Sequence, residues 1–375
     1  MSTRSRSTVV LTGVASAVLA LVALSACSGP SHLGAPTSSS TTPTATSTGA
    51  PSGVKTVIRG LIDRQGEPPK DMLSVVHAYV VKVNWADLQP TPFGPIASDN
   101  AIDRAIARVR MPDYTAAHVL LKLRVFAGIG APEWVKRLGG NPISYTNNQP
   151  GGSVAGGTIG RFWTADFGKA YDDLQTKLAA KYDDVPEIRE LTVSRCSTIF
   201  DELFVRQPGD VQNNQALKGA GYTEAADEQC IQQAVQAHAV WQHTTSDVDF
   251  SPFPNVDDPS QPPDLAFTER VMRLCRDALG VRCGLQNNAI STDKLDNPTF
   301  TSMYAAMTAL GPPIILQTAA NKRIGDEEQV LQEAVKIGAN SVELPAGYQK
   351  WPTSMLQTAA QGLEANPLPP GEAGP

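Results

Sequence analysis

From Val75 onward the chain repeats one rhythm: a short apolar, β-branched run, a stretch with helical periodicity, often a glycine, then the next run. A strand that returns to the same sheet in the same direction needs a crossover of helical length, so this alternation dictates a parallel sheet covered by helices. The runs Ala78–Asn84, Val119–Phe126, Thr158–Phe162, Glu190–Arg195, Asp247–Phe250, Cys283–Asn287, Pro313–Gln317 and Ser341–Leu344 supply eight strands. Between them, Ile102, Ile106 and Val109 share a helix face capped by Asp99, and Phe167, Tyr171, Leu174 and Leu178 form a second stripe closed by Lys181. Later helices are expected at Thr223–Trp241, Leu265–Leu279, Pro298–Leu310, Asp326–Ile337 and Thr353–Leu363, with Gly280, Gly311 and Gly338 as stops. Eight such units in residues 55–365 predict an α/β fold, a single (β/α)8 barrel. An open doubly wound sheet would want a Gly-x-Gly-x-x-Gly after its first strand; Gly128-Ile129-Gly130 is too short a match.

The residues ahead of the barrel carry an address. Arg4 and Arg6 precede an apolar stretch from Val9 to Leu24 that ends in Leu24-Ser25-Ala26-Cys27. Basic, apolar and small residues in that order make a secretory signal, and the ending resembles a bacterial lipobox, so residues 1–27 read as a lipoprotein signal peptide with Cys27 lipidated. The alternative, a single membrane-spanning anchor, needs roughly 20 apolar residues, more than this run holds. Of the 26 residues from Ser28 to Gly53, 21 are Ser, Thr, Pro or Gly and none is charged, so residues 28–54 are expected to be a disordered linker. The Pro- and Gly-rich tail, 366–375, is expected to be disordered too. The predicted location is the extracytoplasmic face of the cell membrane, with the lipid as the only membrane contact.

Loss of the signal removes two arginines and no acid, taking the formal charge from −6 to −8, which argues against a nucleic-acid partner. Beyond Cys27 four cysteines remain, an even number suited to an oxidising compartment. Three pairings are open. Cys196–Cys230 would tie a strand end to the next helix and Cys275–Cys283 a helix end to the next strand, and these two are favoured. No Cys-x-x-Cys or His-x-x-x-His spacing supports a metal site, and no cofactor is expected. Three insertions, Gly139–Gly160, Arg206–Gly221 and Ser251–Pro263, follow strands on the side where barrels keep their binding loops.

Val83-Asn84-Trp85-Ala86-Asp87-Leu88-Gln89-Pro90, then Gly94 and Asp99 to Ile106, resembles the first strand and helix of clan A glycoside hydrolases, including the family 42 β-galactosidase barrels. Leu121–Phe126 with Arg124, Ala131-Pro132-Glu133-Trp134, and Phe162-Trp163 leading into Phe167–Asp183 extend the likeness over most of the barrel. The resemblance implies a TIM barrel acting on a carbohydrate or cell-wall glycan through two glutamates, an acid/base ending strand four and a nucleophile ending strand seven. Here strand four ends Thr192-Val193-Ser194-Arg195-Cys196 and strand seven ends Ile315-Leu316-Gln317, and a carboxamide is no nucleophile. Two readings follow: a hydrolase with relocated carboxylates, or an inactive barrel lipoprotein that binds a saccharide.

Glu202, beside Asp201 just past strand four, and Glu343, inside strand eight, are the candidate catalytic groups, Glu343 as an acid whose burial would raise its pKa. Asp249 is a further carboxylate, and His243 is a candidate base that more often proves structural. The plainer role for Glu343 is an ion pair with Arg124 or Arg195. Trp85, Trp163, Tyr348 and Trp351 are candidate platforms for sugar faces, with Arg124, Asn287, Asn288 and Gln317 as polar contacts. Serine-hydrolase and kinase motifs do not occur.

Overall fold

The computed structural model describes residues 53–147, 156–203, 210–258 and 260–370. The signal, Cys27, most of the linker and the last five residues lie outside these. Within them, eight parallel strands close into a barrel: β1 Gly60–Asp63, β2 Val76–Asn84, β3 Leu120–Phe126, β4 Ile188–Thr192, β5 Thr245–Asp249, β6 Cys283–Ile290, β7 Ile314–Thr318 and β8 Ser341–Leu344. Each strand hydrogen-bonds to its sequence neighbours, and β1 closes on β8 with Ile62 opposite Glu343. The (β/α)8 expectation is met. No described helix is long and apolar enough to cross a membrane.

The count of eight is right, but one member differs. Thr158–Phe162 is not a barrel strand; Gly156–Ile159 pairs antiparallel with Ile143–Thr146 in a separate hairpin within the first insertion. The missing barrel strand is β1, whose four residues, all buried, are too few to show a period. The motif ending in Trp85 therefore closes the second barrel strand, not the first. The second insertion also holds a helix, Val211–Gly219, capped by Asp210.

The helices follow the sequence pattern closely, as Ala101–Val109, Ala165–Tyr182, Glu224–Ala237, Leu265–Leu279, Pro298–Leu310, Glu327–Ile337 and Thr353–Ala365. The first is capped by Asn100, whose side chain accepts from the amides of Ile102 and Asp103, and not by Asp99, which sits at φ +53°. Gly280, Gly311 and Gly338 take φ of +61°, +77° and +91° directly after their helices, a backbone that glycine adopts without steric cost.

Two apolar layers result. The larger lies between barrel and helices and contains Trp85, Phe167, Tyr171 and Trp241; the smaller, Ile58, Ile62, Ala78 and Val80 with Leu120, fills one side of the barrel lumen. The other side of the lumen is charged. Two disulfides, Cys196–Cys230 and Cys275–Cys283, fasten the loop after β4 to the helix Glu224–Ala237 and the helix Leu265–Leu279 to β6, the favoured pairings.

Candidate functional site

Alternation along each strand decides which residues enter the lumen. On β3 the inward phase carries Lys122 and then Arg124; on β4, Glu190; on β5, Asp247 and Asp249; on β6, Gln286 and Asn288; on β7, Gln317; on β8, Glu343. The result is a layered ion network. Lys122 Nζ lies 2.8 Å from Asp247 Oδ2, 3.2 Å from Glu343 Oε1 and 3.4 Å from Glu190 Oε2, and donates to Gln286 Oε1 at 2.5 Å. All four charged groups of this set are completely buried. Gly284 makes room for it, because a Cβ there would collide with Asp247.

One step nearer the C-terminal mouth, Arg124 Nη2 donates to both oxygens of Glu343 at 2.9 and 3.0 Å, Nη1 donates to Gln317 Oε1 at 3.0 Å, and Nε lies 2.8 Å from Asp201 Oδ2. Burial works against the charge on Lys122 and Arg124, yet Asp247 with Glu343 and Glu190 around the first, and Asp201 with Glu343 around the second, outweigh it and raise both above their ordinary values. Burial also pushes Glu343 up, but Arg124, Lys122 and Arg64 together hold it below the usual carboxylate value. Glu343 is thus an ionised counter-ion. The expected proton donor with a raised pKa is not found there, because two buried cations meet that carboxylate.

The carboxyls with raised pKa are others. Burial, Glu202 and Glu343 push Asp201 up to about 6 against the pull of Arg124, and burial and Asp247 push Glu190 to about 8 against Lys122. Glu202 is buried next to Asp201 at the loop after β4, and Asp249 Oδ1 accepts from the amide of Asn288 at 3.1 Å.

The other predicted residues divide by strand phase. Gln317 and Asn288 are in the mouth, with Asn288 Oδ1 accepting from Gln286 at 2.7 Å. Asn287, on the opposite phase of β6, points out to the helices, donating to the Phe250 carbonyl and accepting from the Tyr304 hydroxyl. Trp85 is fully buried in edge-to-face contact with Trp134, Phe167 and Tyr171, so it is a strand-to-helix wedge and no sugar platform. Tyr348 is buried with its hydroxyl on Asp63, and Trp351 is buried too. Trp163 is half-buried, its ring packed on Tyr222 at 4.9 Å and Phe162 at 5.1 Å. Arg195 serves the Phe162 and Thr164 carbonyls instead of Glu343. His243 bonds to the Gly53 carbonyl ahead of β5, at the end of the barrel away from the mouth.

The reading of single residues missed Lys122, Glu190 and Asp247, although a lysine flanked by Leu121 and Leu123 in a strand is a signal that an anion must lie opposite. It also missed Lys82 and Asn84, which end the inward phase of β2 and open into a cleft of about 550 Å³ together with Asp87, Asp99, Arg104 and Phe126. No group of His, Cys, Asp and Glu among the described residues is arranged to hold a metal ion.

Eight parallel strands, an outer shell of helices and a polar mouth at the strand C-termini define a (β/α)8 barrel. The catalytic domain of β-amylase from Paenibacillus polymyxa shares the fold, with a TM-score of 0.50 at 11% identity over 82% of this chain and 99% of that one. Endo-glycoceramidase II from Rhodococcus sp. is similar at TM-score 0.46, 15% identity and 84% and 80% coverage. Xylanase B from Clostridium stercorarium F9 is similar at TM-score 0.40, 14% identity and 77% and 86% coverage. No family model and no curated protein sequence matches the chain.

Proposed function

We propose that this chain is a lipid-anchored, extracytoplasmic barrel that binds a glycan in its mouth without hydrolysing it. One observation carries the reading: at the end of β7 stands the carboxamide of Gln317, bonded to the same guanidinium that holds Glu343 and Asp201. Retaining hydrolysis needs an ionised nucleophile and a proton donor free to flank the sugar bond, about 5 Å apart, and Glu343 is committed to two cations. Amides such as Asn84, Asn288 and Gln317 donate and accept at once, as sugar hydroxyls require. The barrel shared with the catalytic domain of β-amylase supports a glycan as the ligand class.

A hydrolase remains the second reading on one specific ground: Asp201, pushed up to about 6 beside Glu202, is a carboxyl able to exchange a proton near neutral pH. Calorimetry and product analysis of the detergent-solubilised chain over an oligosaccharide panel separate the two. Binding with no released product supports the first; product released by the parent replaces it with the second, and loss of that turnover in Asp201→Asn assigns the proton donor. For the anchor, incorporation of labelled fatty acid that Cys27→Ser eliminates is the expected result, and labelling that persists in the variant refutes it.

A further inference from the structure

Three adjacent strands carry a cation toward the mouth at or within two residues of their C-terminal ends. Arg64 follows β1 in the phase of the inward Ile62, Lys82 is inward on β2, and Arg124 is its register partner on β3. Arg124 is neutralised by Glu343 and Asp201. The other two have no such contact partner. Arg64 Nη1 donates to the Thr318 carbonyl at 2.6 Å, and neither Arg64 nor Lys82 has a carboxylate within ion-pair distance among the described residues.

The cleft below Lys82 does not supply one. Its two acids are engaged, Asp87 accepting from Asn84 Nδ2 at 3.1 Å and Asp99 lying 3.8 Å from Arg104. Burial, Arg124 and Arg64 push the Lys82 ammonium below its ordinary pKa against the smaller pull of Glu343 and Asp201, and burial with Arg124 lowers Arg64 against the pull of Glu343 and Glu202. Lys82 is exposed and Arg64 half-buried, so two cations with no carboxylate in contact converge on one opening that an incoming anion can reach and bridge.

We propose that the mouth selects acidic saccharides, an anionic group on the sugar docking between the ammonium of Lys82 and the guanidinium of Arg64. The inference rests on the glycan-binding reading and narrows it. A carboxylate on a sugar ring would accept from both cations, while its hydroxyls meet Asn84 and Gln317. Carboxylate and sulfate share this chemistry, and the probes distinguish them.

The test is calorimetry on the solubilised full chain with tetrasaccharides of glucose, of glucuronic acid and of sulfated glucose, all of one linkage, at low and high salt. The acidic ligands should bind at least about tenfold more tightly than the neutral one, with the preference shrinking as salt rises. Lys82→Met should bring the ratio to within about threefold, and Lys82→Arg should restore it, with melting curves confirming that both variants fold. Equal affinity for neutral and acidic ligands, or a ratio unchanged in Lys82→Met, overturns the acidic preference and leaves glycan binding intact. No binding of any saccharide overturns both.

Discussion

Arg124 and Glu343 form a buried fork on two strands that are not neighbours, β3 and β8, with Nη2 at 2.9 and 3.0 Å from the two carboxylate oxygens. The contact spans the lumen, so it ties opposite walls of the barrel together. Glu343→Gln keeps the shape but leaves Lys122 and Arg124 short of an anion inside the protein. Removing one partner of a buried ion pair costs about 3–5 kcal/mol. Urea unfolding of the variant should show a loss of that size; a loss under about 1 kcal/mol would mean that the carboxylate is not a structural counter-ion.

Stability should fall as pH rises from about 6.5 to 8. Glu190 is raised from 4.5 to about 8 and Asp227 from 3.8 to about 7, mainly by burial. A carboxyl with a raised folded pKa holds its proton longer in the native state. Between the unfolded and folded values the native state therefore binds more protons, and stability declines with pH. His238, pushed down to about 3 by burial, acts in the opposite direction but only below the unfolded value of 6.5. Melting temperature against pH should slope downward in this window for the parent and less steeply for Glu190→Gln; equal slopes would remove Glu190 from the account.

The two disulfides should differ in weight. Cys196–Cys230 closes 34 residues of sequence separation and Cys275–Cys283 only 8. On the loop-entropy argument these correspond to about 4 and roughly 2.5 kcal/mol. Paired alanine substitutions compared by chemical denaturation should rank them in that order. The reverse ranking would show that strain or residual unfolded structure dominates.

What the sequence disclosed follows from how many residues vote for each feature. The helix Ala165–Tyr182 shows its face through Phe167, Tyr171, Leu174 and Leu178, and its neighbours are as legible. By contrast, β1 has four buried residues and no period to read, while Gly156–Ile159 imitates a barrel strand but pairs in a hairpin. For side chains the deciding variable is strand phase. Asn287 and Asn288 are adjacent in sequence, yet one faces the helices and the other the mouth. Trp85, one residue past β2, falls on the outer phase and packs against Phe167. A shift of one residue reverses the role, which composition and motif cannot register.

Gln317→Glu tests whether the mouth is a hydrolase short of one carboxylate. Arg124 already faces Asp201 and Glu343, so a third acid at 317 would share a cation that two others neutralise. The new carboxyl should therefore be held protonated at neutral pH, since like charges in one buried site cannot all ionise. A protonated carboxyl is no nucleophile, and Glu343 cannot act as the donor while Lys122 and Arg124 keep it ionised. The variant should show no hydrolysis above the parent on any ligand that binds, with a melting temperature lower than the parent's. Product release by Gln317→Glu that disappears when Glu202→Gln is added would contradict this, because it would show that Glu202 is a competent acid and that the position at 317 was the one group lacking.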